Sequence, residues 1–200
     1  MIAPANPVLE LFHQTGAYLR GHFRLTSGLH SREYLQCALV LQHPRHAEQL
    51  GALLAEALRS LVPELAVETV VSPALGGVII GYEVARALGA RAIFTERDPS
   101  GHMILRRGFS LQPGEATVVV EDVVTTGGTT REVVECLAAN GARVLAAGSI
   151  IDRSGGRAEV GAPRVSLATL NVVTYPPDQC PLCQQGIPVT KPGSRPAPAA

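Results

Sequence analysis

Residues 118–130 read VVVEDVVTTGGTT, and this stretch sets the architecture expected for the whole chain. A run of valines before Glu121 is typical of a strand that is buried on both faces, as in a parallel sheet. Two adjacent carboxylates, Glu121 and Asp122, end the valine run, and a loop of threonine and glycine follows. From Thr129 to Asn140 the apolar residues have helical spacing, and Gly141 stands just beyond the helix end. The stretch therefore predicts a strand, a loop and a helix in succession.

Strand and helix patterns alternate on both sides of this stretch. Strands are predicted over 67–72, 92–95, 117–121, 144–151 and 165–170, and helices over 76–88 and 129–140. A further helix opens at Pro44, another starts after Asn6 and ends near Gly16, and residues 18–25 and 33–40 are predicted to be extended. Such alternation is typical of an α/β fold with a parallel sheet and helices on both faces.

Length and composition predict one domain with a small appendage. The chain has 200 residues, 46% of them hydrophobic, which is enough to bury a core. Residues 96–114 are too many for an ordinary connection and are predicted to form a hairpin that acts as a lid. Residues 176–200 hold seven of the 15 prolines and are predicted to be an irregular arm, disordered over 193–200.

Charge and cysteine content argue against several classes of protein. Lys+Arg and Asp+Glu are both 17, so the net charge is zero, which argues against nucleic acid or an anionic membrane as partner. No apolar run reaches the ~18 residues of a membrane span. The first ten residues lack the basic start of a signal peptide, so a cytoplasmic location is expected. Four cysteines do not make a disulfide scaffold, and Cys37 and Cys136 are predicted to be core residues.

The loop after the valine strand has the chemistry of a phosphate site. Backbone N–H groups of a glycine-rich turn and of a helix start bind an anion without a lysine, and Gly127 and Gly128 let the backbone approach it. Glu121 and Asp122 suit the vicinal hydroxyls of a sugar. The sequence lacks both the P-loop motif and the dinucleotide glycine motif. A ribose 5-phosphate ligand is predicted, with a plain capped helix as the alternative.

The same stretch resembles the phosphoribosyl pyrophosphate (PRPP) signature of the type I phosphoribosyltransferases. Residues 23–31, FRLTSGLHS, with Tyr34 and the Ile151-Asp152-Arg153 segment, resemble the orotate members of that family. The resemblance implies a central parallel sheet flanked by helices in one domain of residues 1–175, with a small N-terminal hood (1–42) and a flexible lid hairpin (96–114). It also implies transfer of ribose 5-phosphate from PRPP to orotate, giving orotidine 5'-phosphate and pyrophosphate in pyrimidine (UMP) biosynthesis.

The resemblance also implies roles for individual residues. Glu121 and Asp122 would hold the ribose hydroxyls, and His102 of the lid would complete the catalytic set. Arg153 would pair with the orotate carboxylate, and Thr125 would lie near the base. The implied PRPP-binding residues are Arg97, Glu121, Asp122, Val123, Val124, Thr125, Thr126, Gly127, Gly128 and Thr129. Mg²⁺ is the implied cofactor, and the implied partner is a second copy, in a homodimer with shared active sites.

The sequence departs from the family pattern at three lysine positions, which are Thr26, Gly76 and Ser100. Gly76 lies in the segment SPALGG, residues 72–77, which matches the family's pyrophosphate loop. Arg106 and Arg107 either compensate for the missing lysines or form a solvated face. The alternatives are a purine-salvage phosphoribosyltransferase, a non-enzymatic PRPP-sensing regulator, or an enzyme weakened by the missing lysines.

Cys180 and Cys183 form a single Cys-x-x-Cys. A structural zinc site needs four ligands, and no second cysteine pair follows. The pair is therefore predicted to be a tight turn, and no protein metal site is predicted. Five histidines show no metal-ligand spacing: His13, His22, His30, His43 and His46.

Overall fold

The computed structural model describes residues 6–25, 27–63 and 66–192. Within it the chain divides into two compact units, a small unit of residues 1–40 and 171–200 and a large unit of residues 41–170. The predicted disorder of residues 193–200 and the family lysine position at Thr26 lie outside the described residues. Among the described helices, none combines the length and the apolar character that crossing a membrane requires.

The elements alternate along the chain as the sequence predicted. In order they are α1 (Pro7–Gln14), β1 (Tyr18–Arg24), β2 (His30–Leu35), α2 (Cys37–Leu41), α3 (Pro44–Leu61), β3 (Thr69–Pro73), α4 (Gly77–Leu88), β4 (Arg91–Arg97), β5 (Met103–Leu105), β6 (Ala116–Val124), α5 (Gly128–Ala139), β7 (Arg143–Asp152), β8 (Arg164–Thr169), β9 (Thr174–Tyr175), a 3₁₀ turn (Pro177–Gln179) and α6 (Pro181–Gln184).

The small unit is built on a three-stranded antiparallel sheet in the order β1-β2-β9. Helix α1 begins where the Asn-Pro signal predicts, because the Asn6 side chain accepts a hydrogen bond from the Val8 N–H at 2.9 Å. The C-terminal arm is tied to β1 by backbone hydrogen bonds from Arg24 N–H to Thr190 O and from Thr190 N–H to His22 O, both 2.8 Å. N- and C-terminal segments therefore make one unit.

The large unit carries a six-stranded sheet in the order β5-β4-β3-β6-β7-β8, parallel except for the edge strand β5. Adjacent residues of a strand point to opposite faces, and the two faces are covered by different helices. Val71 and Val119 pack with Val133 and Leu137 of α5. Val70 lies on the other face, close to Gly81 of α4, which packs against α3. The predicted α/β fold is confirmed.

The predicted strand over residues 33–40 is only partly correct. Strand β2 ends at Leu35, and residues 37–41 form the short helix α2. In the sequence CALVL an extended chain would turn alternate residues outward, whereas a helix brings Cys37, Val40 and Leu41 to one side. All three are buried, so burial favours the helix. The prediction that Cys37 is a core residue is confirmed.

Segment 96–114 contains the predicted hairpin. Strands β4 and β5 pair antiparallel with Thr95 opposite Leu105 and Arg97 opposite Met103. Met103 is buried, and Phe109 packs against the α5 core and makes an edge-to-face contact with Phe94. The turn that joins β4 to β5 covers residues 98–102, and residues 99–102 of it are exposed. Closure of this hairpin over a bound substrate stays a prediction.

Candidate active site

The ladder between β3 and β6 ends early, in the middle of the sheet. The two strands pair only from Thr69 opposite Thr117 to Val71 opposite Val119, whereas β6 stays paired with β7 as far as Val124. The chain runs from β3 outward to β4 and from β6 outward to β7 and β8, so the strand order reverses between β3 and β6. The carboxyl ends of strands at such a reversal are where parallel sheets bind ligands.

Glu121 and Asp122 lie on β6 just beyond the point where its pairing with β3 ends. The Thr130 hydroxyl at the start of α5 donates to the Glu121 carboxylate, which orients that side chain. Burial raises the pKa of the Asp122 carboxyl above its usual value, although backbone hydrogen bonds at Val123 and at Asp122 itself act in the opposite direction. Asp122 is therefore a partly desolvated carboxylate just beyond the end of the β3–β6 ladder.

The predicted phosphate turn follows directly. Residues 125–127 link β6 to α5, with Thr125 and Thr126 exposed and Gly127 buried. Gly127 has φ +81°, and it immediately precedes the first residue of the 12-residue helix α5. The exposed turn and the first backbone N–H groups of α5 provide the donors that an anion needs at a helix start.

The two glycines of the turn provide a matched pair of substitutions. A Cβ at Gly127 would lie 3.0 Å from Val160 Cγ1 and 3.1 Å from Ala158 Cβ, at a φ that favours glycine, whereas a Cβ at Gly128 would meet only Thr126 Oγ1 at 3.6 Å. We expect Gly127→Ala to lower the melting temperature and to weaken anion binding in the turn about tenfold, since the strain costs on the order of 1–3 kcal/mol. Gly128→Ala is the control and should keep the wild-type melting temperature; equal melting temperatures for the two variants would contradict the assignment.

The loop after β3 lies against the same carboxylate. A Cβ at Gly76 would lie 2.7 Å from Asp122 Oδ2 and 2.8 Å from Oδ1, so a larger residue there would displace the carboxylate. The peptide bond between Ala74 and Leu75 in this loop is cis. Gly76 is one of the positions where the resemblance described above implies a lysine, and Lys191 is the only lysine of the sequence. The loop can offer backbone groups of residues 74–77 to a ligand at this position, but no ammonium group.

Arg153 follows β7, and its backbone N–H donates to Val124 O at 2.8 Å, which fixes it beside the end of β6. The preceding residue, Asp152, is buried and accepts hydrogen bonds from Ser154 N–H at 2.6 Å, Gly156 N–H at 3.0 Å and Arg164 Nη1 at 2.9 Å. Burial alone would raise the pKa of Asp152, but these hydrogen bonds and the Arg164 charge outweigh it and hold the pKa below its usual range. Asp152 is thus a structural anchor that holds the turn carrying Arg153.

The lid residues lie apart from this group. Strand β4 is separated from β6 by β3, and Arg97 at its end pairs with Glu132 of α5 at 2.7 Å. His102 is exposed at the hairpin tip, and its backbone N–H is held by Asp98 at 2.9 Å. Arg107 forms two hydrogen bonds of 2.8 Å with Glu96, so its guanidinium is already engaged. The carboxylates, the phosphate turn and Arg153 are brought together, whereas Arg97 and His102 lie nearer the sheet edge.

A second buried acid lies at the opposite end of the sheet and contrasts with the site. Glu115 accepts hydrogen bonds from the Thr69 hydroxyl, Gln112 N–H and Arg91 Nη2. Burial works against ionisation, but these partners together keep the pKa of Glu115 below its usual value. Glu115 is therefore a structural carboxylate with its partners inside the fold, whereas the pKa of Asp122 is raised.

The strand reversal, the carboxylate pair and the glycine turn lie together at the carboxyl ends of β3 and β6. The phosphoribosyl transferase domain family matches residues 39–178, and the chain belongs to this family.

Within this family, the chain is similar to proteins named as orotate phosphoribosyltransferases. The chain is 52% identical to the orotate phosphoribosyltransferase of Desulforamulus reducens, over 94% of this chain and 96% of that protein. It is also 52% identical to the orotate phosphoribosyltransferase of Thermotoga maritima, over 94% of this chain and 98% of that protein. The crystal structure of orotate phosphoribosyltransferase from Aeropyrum pernix superposes with a TM-score of 0.65 at 27% identity, covering 82% of this chain and 93% of that one. The resemblance and the fold class predicted from the sequence are confirmed.

Proposed function

We propose that this protein is an orotate phosphoribosyltransferase, which transfers the ribose 5-phosphate of PRPP to orotate in pyrimidine (UMP) biosynthesis. The observation that carries the proposal is the grouping of Glu121 and Asp122 with a phosphate turn and an arginine at the end of the next strand. The turn suits the 5-phosphate, the carboxylates suit the ribose diol, and the arginine suits the carboxylate of the base.

In the proposed reaction the bond from the anomeric carbon to the pyrophosphate oxygen breaks, and a bond to the pyrimidine nitrogen forms with inversion. Glu121 and Asp122 would accept hydrogen bonds from the ribose hydroxyls and face the positive charge that develops on the ring. The backbone at the starts of α4 and α5 would position the two phosphate ends, and Arg153 would orient the base. Because the reacting nitrogen is acidic, the residues need to contribute little proton transfer.

Mg²⁺ is part of the proposal. The fit rests on chemistry, since Mg²⁺ in phosphate sites is held by one or two carboxylates and by oxygens of the substrate. Asp122, which lies against Gly76 of the loop after β3, and its neighbour Glu121 are the carboxylates just beyond the end of the β3–β6 ladder. When bound, the ion would neutralise charge on the leaving pyrophosphate. A cytoplasmic location is also part of the proposal, and the presence of thiols in place of disulfides at all four cysteines supports it.

A homodimer with shared active sites is proposed as well. An apolar row on α4 and the loop before it supports it, since Leu75, Ile79 and Tyr82 are 80%, 48% and 61% exposed. These residues recur at one-turn spacing and would be covered by a second copy. The exposed position of His102 at the sheet edge also suits a residue that serves a neighbouring site.

We expect Tyr82→Glu to convert the dimer to a monomer, because it puts a charge into the apolar row. Size-exclusion chromatography with light scattering measures the mass directly. Val173→Glu, which changes an exposed valine outside the row, is the control and should leave the dimer intact. A Tyr82→Glu protein that stays dimeric would argue against this surface.

Sharing of the sites is tested by mixing two inactive variants. If His102 of one subunit serves the other subunit's site, a hybrid of His102→Ala and Asp122→Asn chains contains one fully native site. An equal mixture, unfolded and refolded together, should recover about a quarter of wild-type activity, since half of the random pairs are hybrids with one working site each. Activity no higher than that of the separate variants would mean that each site is built from one chain.

The proposed function is tested by an activity screen. The purified protein with PRPP and Mg²⁺ should consume the ultraviolet absorbance of orotate. The same assay with uracil, adenine, guanine, hypoxanthine and xanthine tests the purine-salvage alternative. Turnover of a purine without turnover of orotate would reject the proposal, and PRPP binding without turnover of any base would favour the sensing regulator.

A further inference from the structure

A group of metal-ligand side chains lies in the small unit and takes no part in the proposed reaction. His22 belongs to β1 and His30 to β2, while Cys180 and Cys183 stand at the start of α6 and one turn into it. The four ligand atoms all lie within 4.8 Å of one another. His22 and Cys180 are 158 residues apart in sequence, which is why spacing alone did not connect the histidines with the Cys-x-x-Cys.

The distances are close to those of a tetrahedral site. Cys180 Sγ lies 3.5 Å from His22 Nε2, and Cys183 Sγ lies 3.7 Å from His22 Nε2 and 3.3 Å from His30 Nδ1. A tetrahedral zinc ion with Zn–N bonds of about 2.0 Å and Zn–S bonds of about 2.3 Å holds its ligand atoms about 3.3 to 3.8 Å apart. The two ring nitrogens are 2.8 Å apart, so a shared ion requires the rings to separate by about half an ångström.

A hydrogen bond on the far side of the His22 ring holds the ring in the way that metal-binding histidines are usually held. His22 Nδ1 lies 2.7 Å from the Ile187 carbonyl oxygen, which can only accept a hydrogen bond. Nδ1 therefore carries the proton, and Nε2 presents its lone pair to the cysteines and to His30. A hydrogen bond from the second ring nitrogen to a carbonyl is the usual support of a metal-bound histidine.

The burial of three of these four side chains supports the binding of an ion. His22 is 3% exposed, His30 5% and Cys180 0%, while Cys183 is exposed and leaves a route for an ion to enter. Buried polar groups cost stability unless they are fully satisfied, and one ion would engage all four at once. Two thiolates with two imidazoles in tetrahedral geometry select zinc.

We propose that His22, His30, Cys180 and Cys183 bind one Zn²⁺ ion that ties the C-terminal arm to the N-terminal hairpin. Four protein ligands leave no open position, so the site is structural. It adds a cross-link where the arm is otherwise held mainly through Thr190 and the pairing of β9 with β2. The proposal is independent of the phosphoribosyl transfer reaction.

Metal content tests the proposal on the full chain, expressed without a polyhistidine tag in zinc-supplemented medium and dialysed against a weak chelator. We expect about one zinc per chain in the wild type and less than about a tenth in Cys183→Ser. Cys183 is chosen because it is exposed, and Cys136→Ser is the control because Cys136 lies in the large unit. A wild type without zinc, or a Cys183→Ser variant that keeps it, would overturn the proposal.

Titration with Co²⁺ is a second test of the four-ligand site. It depends neither on enzyme activity nor on the metal that the expression host supplies. Metal-free reduced wild type and Cys136→Ser, titrated with Co²⁺, should develop thiolate-to-cobalt charge-transfer bands at one ion per chain, and Cys183→Ser should not. Removing the metal should also speed proteolytic cleavage of the arm roughly tenfold, because the cross-link is lost. A Cys180–Cys183 disulfide in protein purified under reducing conditions, with no cobalt bands after reduction, would instead make the pair a redox site.

Discussion

Asp122→Asn is expected to lower kcat/KM by about 100- to 1,000-fold while the protein becomes more stable. The activity falls because the amide cannot supply the negative charge that faces the ribose ring in the transition state. Stability rises because burial raises the pKa of Asp122, which means that the ionised carboxylate is disfavoured in the folded chain. The melting temperature of Asp122→Asn should therefore lie above that of the wild type, as a thermal unfolding curve measures.

The pH dependence separates this explanation from a general packing effect. The carboxylate is disfavoured only while it is ionised, so the stability advantage of Asp122→Asn should be greatest at neutral pH. It should shrink as the pH falls through the raised pKa. Wild-type kcat/KM should decline over the same pH interval, because the protonated acid no longer supplies the negative charge that faces the ribose ring. Asp178→Asn is the control and should change neither quantity; a destabilised Asp122→Asn protein would contradict the assignment.

Arg153→Ala is expected to raise KM for orotate by about 10- to 100-fold, the cost of losing a hydrogen bond to a charged group. KM for PRPP should stay close to the wild-type value, because the phosphate turn and the carboxylates are unchanged. Arg153→Lys should recover only part of the loss, since an ammonium group cannot form the two parallel hydrogen bonds of a guanidinium. Initial rates with each substrate varied in turn measure both constants.

Arg157→Ala provides the matched control, because Arg157 is an exposed arginine four residues further along the same loop. It should leave KM for orotate unchanged. An equal rise in both KM values for Arg153→Ala would point to a structural role, and no rise in either would remove Arg153 from the orotate site.

The fold and the centre of the candidate site were predictable because the sequence features that indicate them lie close together along the chain. Periodicity and caps placed α4 and α5 within a residue or two, with Gly89 and Gly141 beyond their ends. The carboxylates and the phosphate turn are neighbours in sequence, so one stretch of residues 118–130 contains both.

Contacts between distant segments were not predictable. The approach of Gly76 to Asp122 depends on β3 lying beside β6, and the pairing of Arg97 with Glu132 depends on how the hairpin packs on α5. Helix α2 was missed because Gln36 before it is not a typical N-cap residue, and its five residues fit either period until burial selects one. The cysteine pair looked like a turn because its neighbours come from a hairpin at the other end of the chain.

The early end of the β3–β6 ladder bears on how such an enzyme changes during evolution. Because the strands part after Val71 and Val119, the space proposed for the sugar phosphate depends on the path of the backbone as well as on the missing side chain at Gly76. Drift at surrounding positions leaves that backbone path in place, so a lineage could exchange residues such as Arg153, which we propose to bind the base, without rebuilding the scaffold. Insertions that lengthened the ladder would close the proposed space, and selection should therefore act most strongly against length changes in these two strands.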